Sequence, residues 1–220
     1  MADATNPPPR RSNTRGREAR AAVLDAATTL FAERGYAGTS IADVAKAANL
    51  AKPSVLYHFA DKDTLWREAV EALWGEVEAF YAPRWPAQME LTRGAIERML
   101  DTYIEAALRW PAYVKIPFIE GATPSWRSEW LVDRHFGRHV RLANDLISRC
   151  QDEGLLAAGE AAHIQALLTS GISMFATQSA MWSRALGINA GAPEFLREQA
   201  ALILNLTFRS ETLASESEQA

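Results

Sequence analysis

Thr39-Ser-Ile-Ala-Asp-Val-Ala-Lys-Ala-Ala-Asn-Leu-Ala-Lys-Pro-Ser-Val-Leu-Tyr-His-Phe59 is the stretch that decides how this chain is read. Thr39 and Ser40 are capping residues, and Asp43 follows Ser40 by three positions, a variant of the capping box that opens helices. Ile41, Val44, Ala45 and Ala48 then recur at i, i+3, i+4 and i+7, one apolar helix face. Asn49 is, after Gly, the residue best suited to the left-handed conformation that ends a helix. Lys52 precedes Pro53 and is biased away from helical geometry, which makes Pro53 the expected first residue of a second helix. Val55, Leu56 and Phe59 are expected to pack inward, leaving Lys52, Ser54, Tyr57 and His58 outside. A helix, a tight turn and a short second helix with an exposed basic and polar edge suit the major groove of DNA.

Several positions around this stretch complete a longer pattern: Gly35-Tyr36, Thr39-Ser40, Ile41-Ala42-Asp43-Val44-Ala45, Leu56-Tyr57-His58-Phe59 and Lys62. Over residues 16–66 the chain resembles the TetR/AcrR family of transcriptional regulators. It departs from the family pattern twice, with Asn49 at the usual turn glycine and Ala51 at the usual serine that caps the recognition helix. The resemblance implies phosphate contacts from Thr39, Ser40, Tyr57 and Lys62, and base-edge contacts from Lys52, Ser54 and His58, with Pro53 setting the first turn. It also implies a double-stranded operator, a homodimer and a small-molecule effector. Beyond about residue 80 the likeness is one of length and helicity alone.

Charge is unevenly spread. Residues 1–62 carry nine Lys and Arg against six acids, a balance of +3, while residues 63–220 carry 14 against 21, a balance of −7. A net charge of −4 therefore does not argue against DNA binding, because the basic groups concentrate at the reading head. No run of 18 apolar residues and no apolar leader occurs, which suggests a cytoplasmic protein without membrane contact. The single cysteine, Cys150, excludes an internal disulfide and reads as a small buried side chain.

Periodicity elsewhere points to an all-α chain of about nine helices. Residues 1–15 read as a disordered arm whose Arg10, Arg11 and Arg15 suit phosphates or a minor groove. Residues 16–77 form the helix-turn-helix domain, with its motif at 40–59 and a first helix from about Arg17 to Arg34 ended by Gly35. A fourth helix capped by Asp61 runs toward Tyr81, longer than the small head requires. Residues 78–213 form a ligand-binding and dimerisation domain with helices over 87–110, 126–153, 160–186 and 193–213, and 214–220 are a disordered tail. The run 112–119 is strand-like, but Pro117 demotes it to broken helical pieces. Helices 160–186 and 193–213 are the expected dimer interface, through Leu167, Gly171 and Phe175 on one and Phe195, Leu196, Ala200, Leu202, Ile203, Leu206 and Phe208 on the other.

Catalytic and metal chemistry find no motif. Gly-x-Ser-x-Gly, a phosphate loop, a dinucleotide fingerprint and Cys-x-x-Cys are all missing, so neither an enzyme nor a cofactor is expected. His135 and His139 share a helix face without an evident third ligand, and Glu160-Ala-Ala-His163 is a single copy where a di-iron bundle needs two. Arg134, Arg138 and Arg141 read as a solvated face. The second half is instead rich in aromatic residues, and Trp110, Tyr113, Phe118, Trp130, Phe175 and Gln178 are the expected lining of an effector pocket, chosen from helical phase. The contrasting reading is a helical partner-binding protein that keeps the fold without specific DNA recognition. The exposed Lys52, Ser54, Tyr57, His58 and Lys62 argue against it.

Overall fold

A computed structural model describes residues 10–85 and 90–208, and the side chains of residues 14–85 and 90–208. The described residues form nine continuous helical rods, without a strand ladder. They divide into two compact units, the first ending at Gly75 and the second beginning at Glu76.

The first unit, the head, holds α1 (Arg10–Arg34), α2 (Ile41–Ala47), α3 (Lys52–His58) and the beginning of α4 (Lys62–Tyr81). Helix α1 starts seven residues earlier than periodicity indicates, so residues 10–15 are helical where an irregular arm was expected. Residues 1–9, the side chains of Arg10 and Arg11, and the 214–220 tail lie outside the described residues. Val23, Ala27, Phe31, Val44, Val55, Phe59, Leu65 and Trp66 are buried, each contributed at helical spacing.

Turn chemistry sets the head's path. Gly35 ends α1 at φ 68°, where a residue without Cβ is least strained. The Thr39 hydroxyl donates toward the carbonyls of Gly35 (3.0 Å) and Leu30 (3.1 Å), tying the end of α1 to the start of α2. Ser40 and Asp43 close a reciprocal capping box. Asn49 sits at φ 54°, and the amides of Asn49 and Leu50 donate back to Lys46 (3.2 Å) and Ala45 (2.8 Å), a Schellman turn. Lys52, not Pro53, is the first residue of α3, because the extended Ala51 starts the hydrogen-bond series and Pro53 occupies the second helical position. Pro53 gives up no bond there, since the first amides of a helix have no partner within it.

The second unit holds the remainder of α4, then α5 (Arg93–Arg109), α6 (Pro111–Glu120), α7 (Trp126–Leu131), α8 (Gly137–Asp152), α9 (Ala161–Leu186) and α10 (Pro193–Thr207). Residues 112–119 are thus one helix. Pro117 is tolerated within it near the C-terminal end. A π-helical turn, Val132–Phe136, joins α7 to α8 into a continuous rod. The widened turn brings the Val132 carbonyl so close that a Cβ on Gly137 would lie 2.5 Å from it, which explains a glycine inside this helix. Helix α9 carries a non-helical residue, Gln178, and ends at Gly187 with φ 68°.

The core of this unit joins Ile96, Leu100 and Ile104 of α5, Ile147 and Cys150 of α8, Ile164, Leu168, Ile172 and Phe175 of α9, and Leu196, Ala200, Ile203 and Leu204 of α10. This corrects part of the expected dimer surface. Phe175, Leu196, Ala200 and Ile203 are internal, and Gly171 faces Gln199 and Ile203 of its own chain. Leu167 on α9 and Leu202 and Leu206 on α10 remain exposed.

Candidate nucleic-acid interface

Helix α3 has seven residues and is about 10 Å long at 1.5 Å per residue. Two of its neighbourhood's apolar groups anchor it: Val55 and Phe59 are fully buried. The guanidinium of Arg20 lies 5.3 Å above the Phe59 ring and is ion-paired to Glu68, so α3 is held against α1 and α4 from below. Leu56 departs from expectation at 41% exposed, since it lies one position beyond Val55 and turns about 100° away from the buried face.

The opposite face presents the anticipated groups. Lys52, Pro53 and Tyr57 are exposed, Ser54 and His58 half-buried, and Tyr57 reaches 85% exposure. The Tyr57 and His58 rings meet edge-on at 5.1 Å, which orders two groups of the reading edge. Ser40 is exposed at the head of α2. Thr39 requires correction: it is 2% exposed with its hydroxyl engaged by two carbonyls, so it serves the backbone and offers no hydroxyl to a phosphate.

Lys62 opens α4. Its ammonium rests 4.0 Å from the centre of the Tyr36 ring, and the Tyr36 hydroxyl donates to Asp63. Tyr36 thereby restrains a long, flexible cation that would otherwise lose rotamer freedom on meeting a phosphate. Asp61 caps α4 by accepting from the Thr64 amide at 2.7 Å, and that bond holds its carboxyl below the usual aspartate range.

This geometry can be set beside known proteins. Residues 23–69 match the family model of bacterial regulatory proteins, tetR family. Over these residues the chain is similar to the TetR family. The biofilm operon icaADBC HTH-type negative transcriptional regulator IcaR of Staphylococcus epidermidis is 43% identical over 49 residues, which cover 22% of this chain and 26% of that relative. The IcaR of Staphylococcus aureus strain Newman matches to the same extent, so the chain spans about a quarter of the length of the curated relatives it matches. Solved structures share the fold over nearly the whole chain. HlyIIR, a hemolysin II transcriptional regulator, has a TM-score of 0.65 at 19% identity, covering 89% of this chain and 99% of its own. A TetR-family regulator from Marinobacter aquaeolei VT8 has a TM-score of 0.68 at 16% identity, covering 90% and 100%. The ketosteroid transcriptional regulator KstR2 of Mycobacterium tuberculosis has a TM-score of 0.61 at 18% identity, covering 87% and 95%.

Of the expected effector residues, Trp110 and Tyr113 join one aromatic group through Phe80 and Tyr81. Trp110 donates its indole N–H to Glu76 at 2.8 Å and packs edge-on against Phe80. Tyr113 packs on Tyr81, Trp130 edge-on on His135, and Phe175 on Trp182 and Phe195. Phe118 is exposed, and Gln178 is exposed at the break in α9. A cavity of about 80 Å³ lies elsewhere, lined by residues of α5, α8 and α9 together with Trp85 and Leu156, and none of the six lines it. Periodicity marks which face of a helix is apolar, but not which part of that face stays unfilled. His135 is buried, and His139 approaches the His135 carbonyl at 3.2 Å. Among the described residues no group of three His, Cys, Asp or Glu could hold a metal ion, and no helix is long and apolar enough to cross a membrane.

Proposed function

We propose that this protein is a sequence-specific DNA-binding transcriptional repressor that acts as a homodimer on a palindromic operator and leaves it when a small, mainly apolar ligand binds. The carrying observation is α3 itself: a short helix anchored from below by Val55 and Phe59, with Lys52, Ser54, Tyr57 and His58 on its outer edge. A helix of this length fits a major groove about 12 Å wide. Ser40, Tyr57 and Lys62 suit the flanking phosphates, and Lys52, Ser54 and His58 suit base edges. Repression is supported by the name of the matched relatives, which are negative regulators.

One such helix reads few base pairs, so two heads on a two-fold site are needed for useful specificity. Exposed Leu167, Leu202 and Leu206 supply the apolar face for a second copy, giving a four-helix contact from two α9 and two α10. Because α4 contributes residues to both units, a ligand that tilts α4 would alter the spacing of the paired α3 helices. A preference of about 3 kcal/mol for the mis-spaced state would lower operator affinity roughly a hundredfold.

Fluorescence anisotropy with DNA from upstream of the protein's own gene tests the reading. Tyr57→Ala should weaken binding without unfolding the head, since the ring is almost wholly exposed. Lys62→Ala should weaken binding to all sequences alike and lower the salt slope by about one unit. Unchanged affinity and salt dependence in Lys62→Ala would remove the phosphate role of Lys62. Absence of any operator preference would leave the partner-binding alternative.

A further inference from the structure

The second unit holds a half-open cavity lined from α5, α8 and α9 together with Trp85 and Leu156, and its chemistry is one-sided. Its lining contains no Asp, Glu, Lys, Arg or His. Its aliphatic wall includes Ile96, Leu100, Leu146, Ile147 and Leu168, with Met99 beside them. Two hydroxyls in the wall are turned to partners in the protein, while the buried Trp85 indole N–H has no hydrogen-bond partner among the described residues. The Tyr103 hydroxyl shares a 2.5 Å hydrogen bond with Ser173, and the Thr169 hydroxyl donates to the Gln165 carbonyl at 2.9 Å. Burial pushes the Tyr103 phenol and the Cys150 thiol up, so both stay protonated and add no charge.

A charged guest would lose its hydration here and meet no counter-ion, which is strongly unfavourable. An uncharged hydrocarbon guest loses nothing of the kind. At roughly 10–15 Å³ per water in the same measure, about 80 Å³ corresponds to several waters or a slender chain of a few carbons. The unbranched Met99 can yield to a somewhat larger guest.

We infer that this cavity is the effector site and that it selects an uncharged, aliphatic molecule, discriminating against carboxylates and amines of the same carbon skeleton. The inference rests on the ligand-responsive reading above for its biological role, but its chemistry stands on the cavity wall alone.

The test uses the full chain with three probes of one skeleton: 1-hexanol, hexanoate and hexylamine at pH 7. Calorimetric titration should show 1-hexanol binding at least about tenfold more tightly than either charged analogue. Cys150 is the only cysteine and lies in the wall, so its alkylation by N-ethylmaleimide should slow when 1-hexanol is present. Ala143→Phe, which fills the cavity from α8, should abolish both effects. Ala143→Leu, a milder filling, should weaken them at least several-fold if the larger substitution does not fold. Hexanoate or hexylamine binding as tightly as the alcohol, no alcohol binding up to its solubility, or binding unchanged in a folded Ala143 variant would each overturn the assignment. If 1-hexanol binds as stated but leaves DNA affinity unaltered, the cavity assignment stands and the release reading falls.

Discussion

In the head, the groups that shape the backbone are close neighbours in sequence; in the second unit, the cavity wall is gathered from segments between Trp85 and Thr169. Ser40 meets Asp43, Asn49 closes a turn with Lys46 and Ala45, and Ala51 and Pro53 start α3, all within 14 residues of chain. Local chemistry of this kind constrains sequence tightly. The cavity, by contrast, demands only that each wall position be apolar, and many residues meet that demand. The comparisons divide the same way: sequence likeness covers residues 23–69, while the remainder is matched by fold at under 25% identity.

The largest effect that can break this contrast is at a buried ring. Phe59 is fully buried in the head and Phe118 is 52% exposed in the second unit. Phe59→Ala should destabilise the head by about 3–5 kcal/mol, read by hydrogen exchange of α1–α3 amides, and should abolish DNA binding. Phe118→Ala should fall within about 0.5 kcal/mol. An equal loss at Phe118 would mean that the ring is covered by a partner in solution.

Next in size is Gly171. A Cβ there would lie 3.0 Å from Gln199 Nε2 and 3.1 Å from Ile203 Cδ1, both ends of side chains able to shift. Gly171→Ala should therefore be near neutral, because the added contact offsets the helix gain of roughly 0.5–1 kcal/mol. Gly171→Leu should cost about 1–3 kcal/mol by forcing α9 and α10 apart. Denaturant unfolding checks both. If Gly171→Leu leaves stability intact but dissociates a dimer in sedimentation, Gly171 faces the partner copy and not its own α10.

How much was legible follows from the range of the forces involved. The Ser40–Asp43 box, the Asn49 turn, the exposure of Tyr57 and the ends of α1 and α9 at Gly35 and Gly187 each depend on residues within a few positions, and each is readable from residue type. Leu56 falls outside the buried face because a seven-residue helix buries only a narrow one, here Val55 with Phe59 just beyond the helix end. Thr39 was misread because Thr serves equally as a surface donor and a buried backbone tie. Nothing in the residues 126–153 announced a π turn except Gly137, an otherwise unexplained glycine in a helical run. Helical phase alone selects the six pocket candidates, five aromatic residues and Gln178. Trp110, Tyr113, Trp130 and Phe175 pack instead on Phe80, Tyr81, His135, and Trp182 with Phe195, which only the packed arrangement reveals.

The smallest and sharpest difference lies in two capping boxes built on the same plan. In the head, Ser40 pairs with Asp43; in the second unit, Ser125 pairs with Ser128 at the start of α7. Ser40→Ala and Ser125→Ala should each cost about 0.5–2 kcal/mol at neutral pH. Only the first should depend on acidity. Hydrogen bonds from the Ser40 hydroxyl and amide hold the Asp43 carboxyl below its ordinary value of 3.8. A group whose folded pKa is depressed stabilises the fold fully above its unfolded value and loses that contribution as pH falls through the folded one. The Ser40→Ala penalty should therefore be constant above about pH 5 and shrink below 3.8, while the Ser125→Ala penalty stays level over the same range. Hydrogen exchange at the first-turn amides of α2 and α7, followed from pH 6 to pH 3, separates the two. Parallel behaviour of the two boxes would show that Asp43 does not act through its charge.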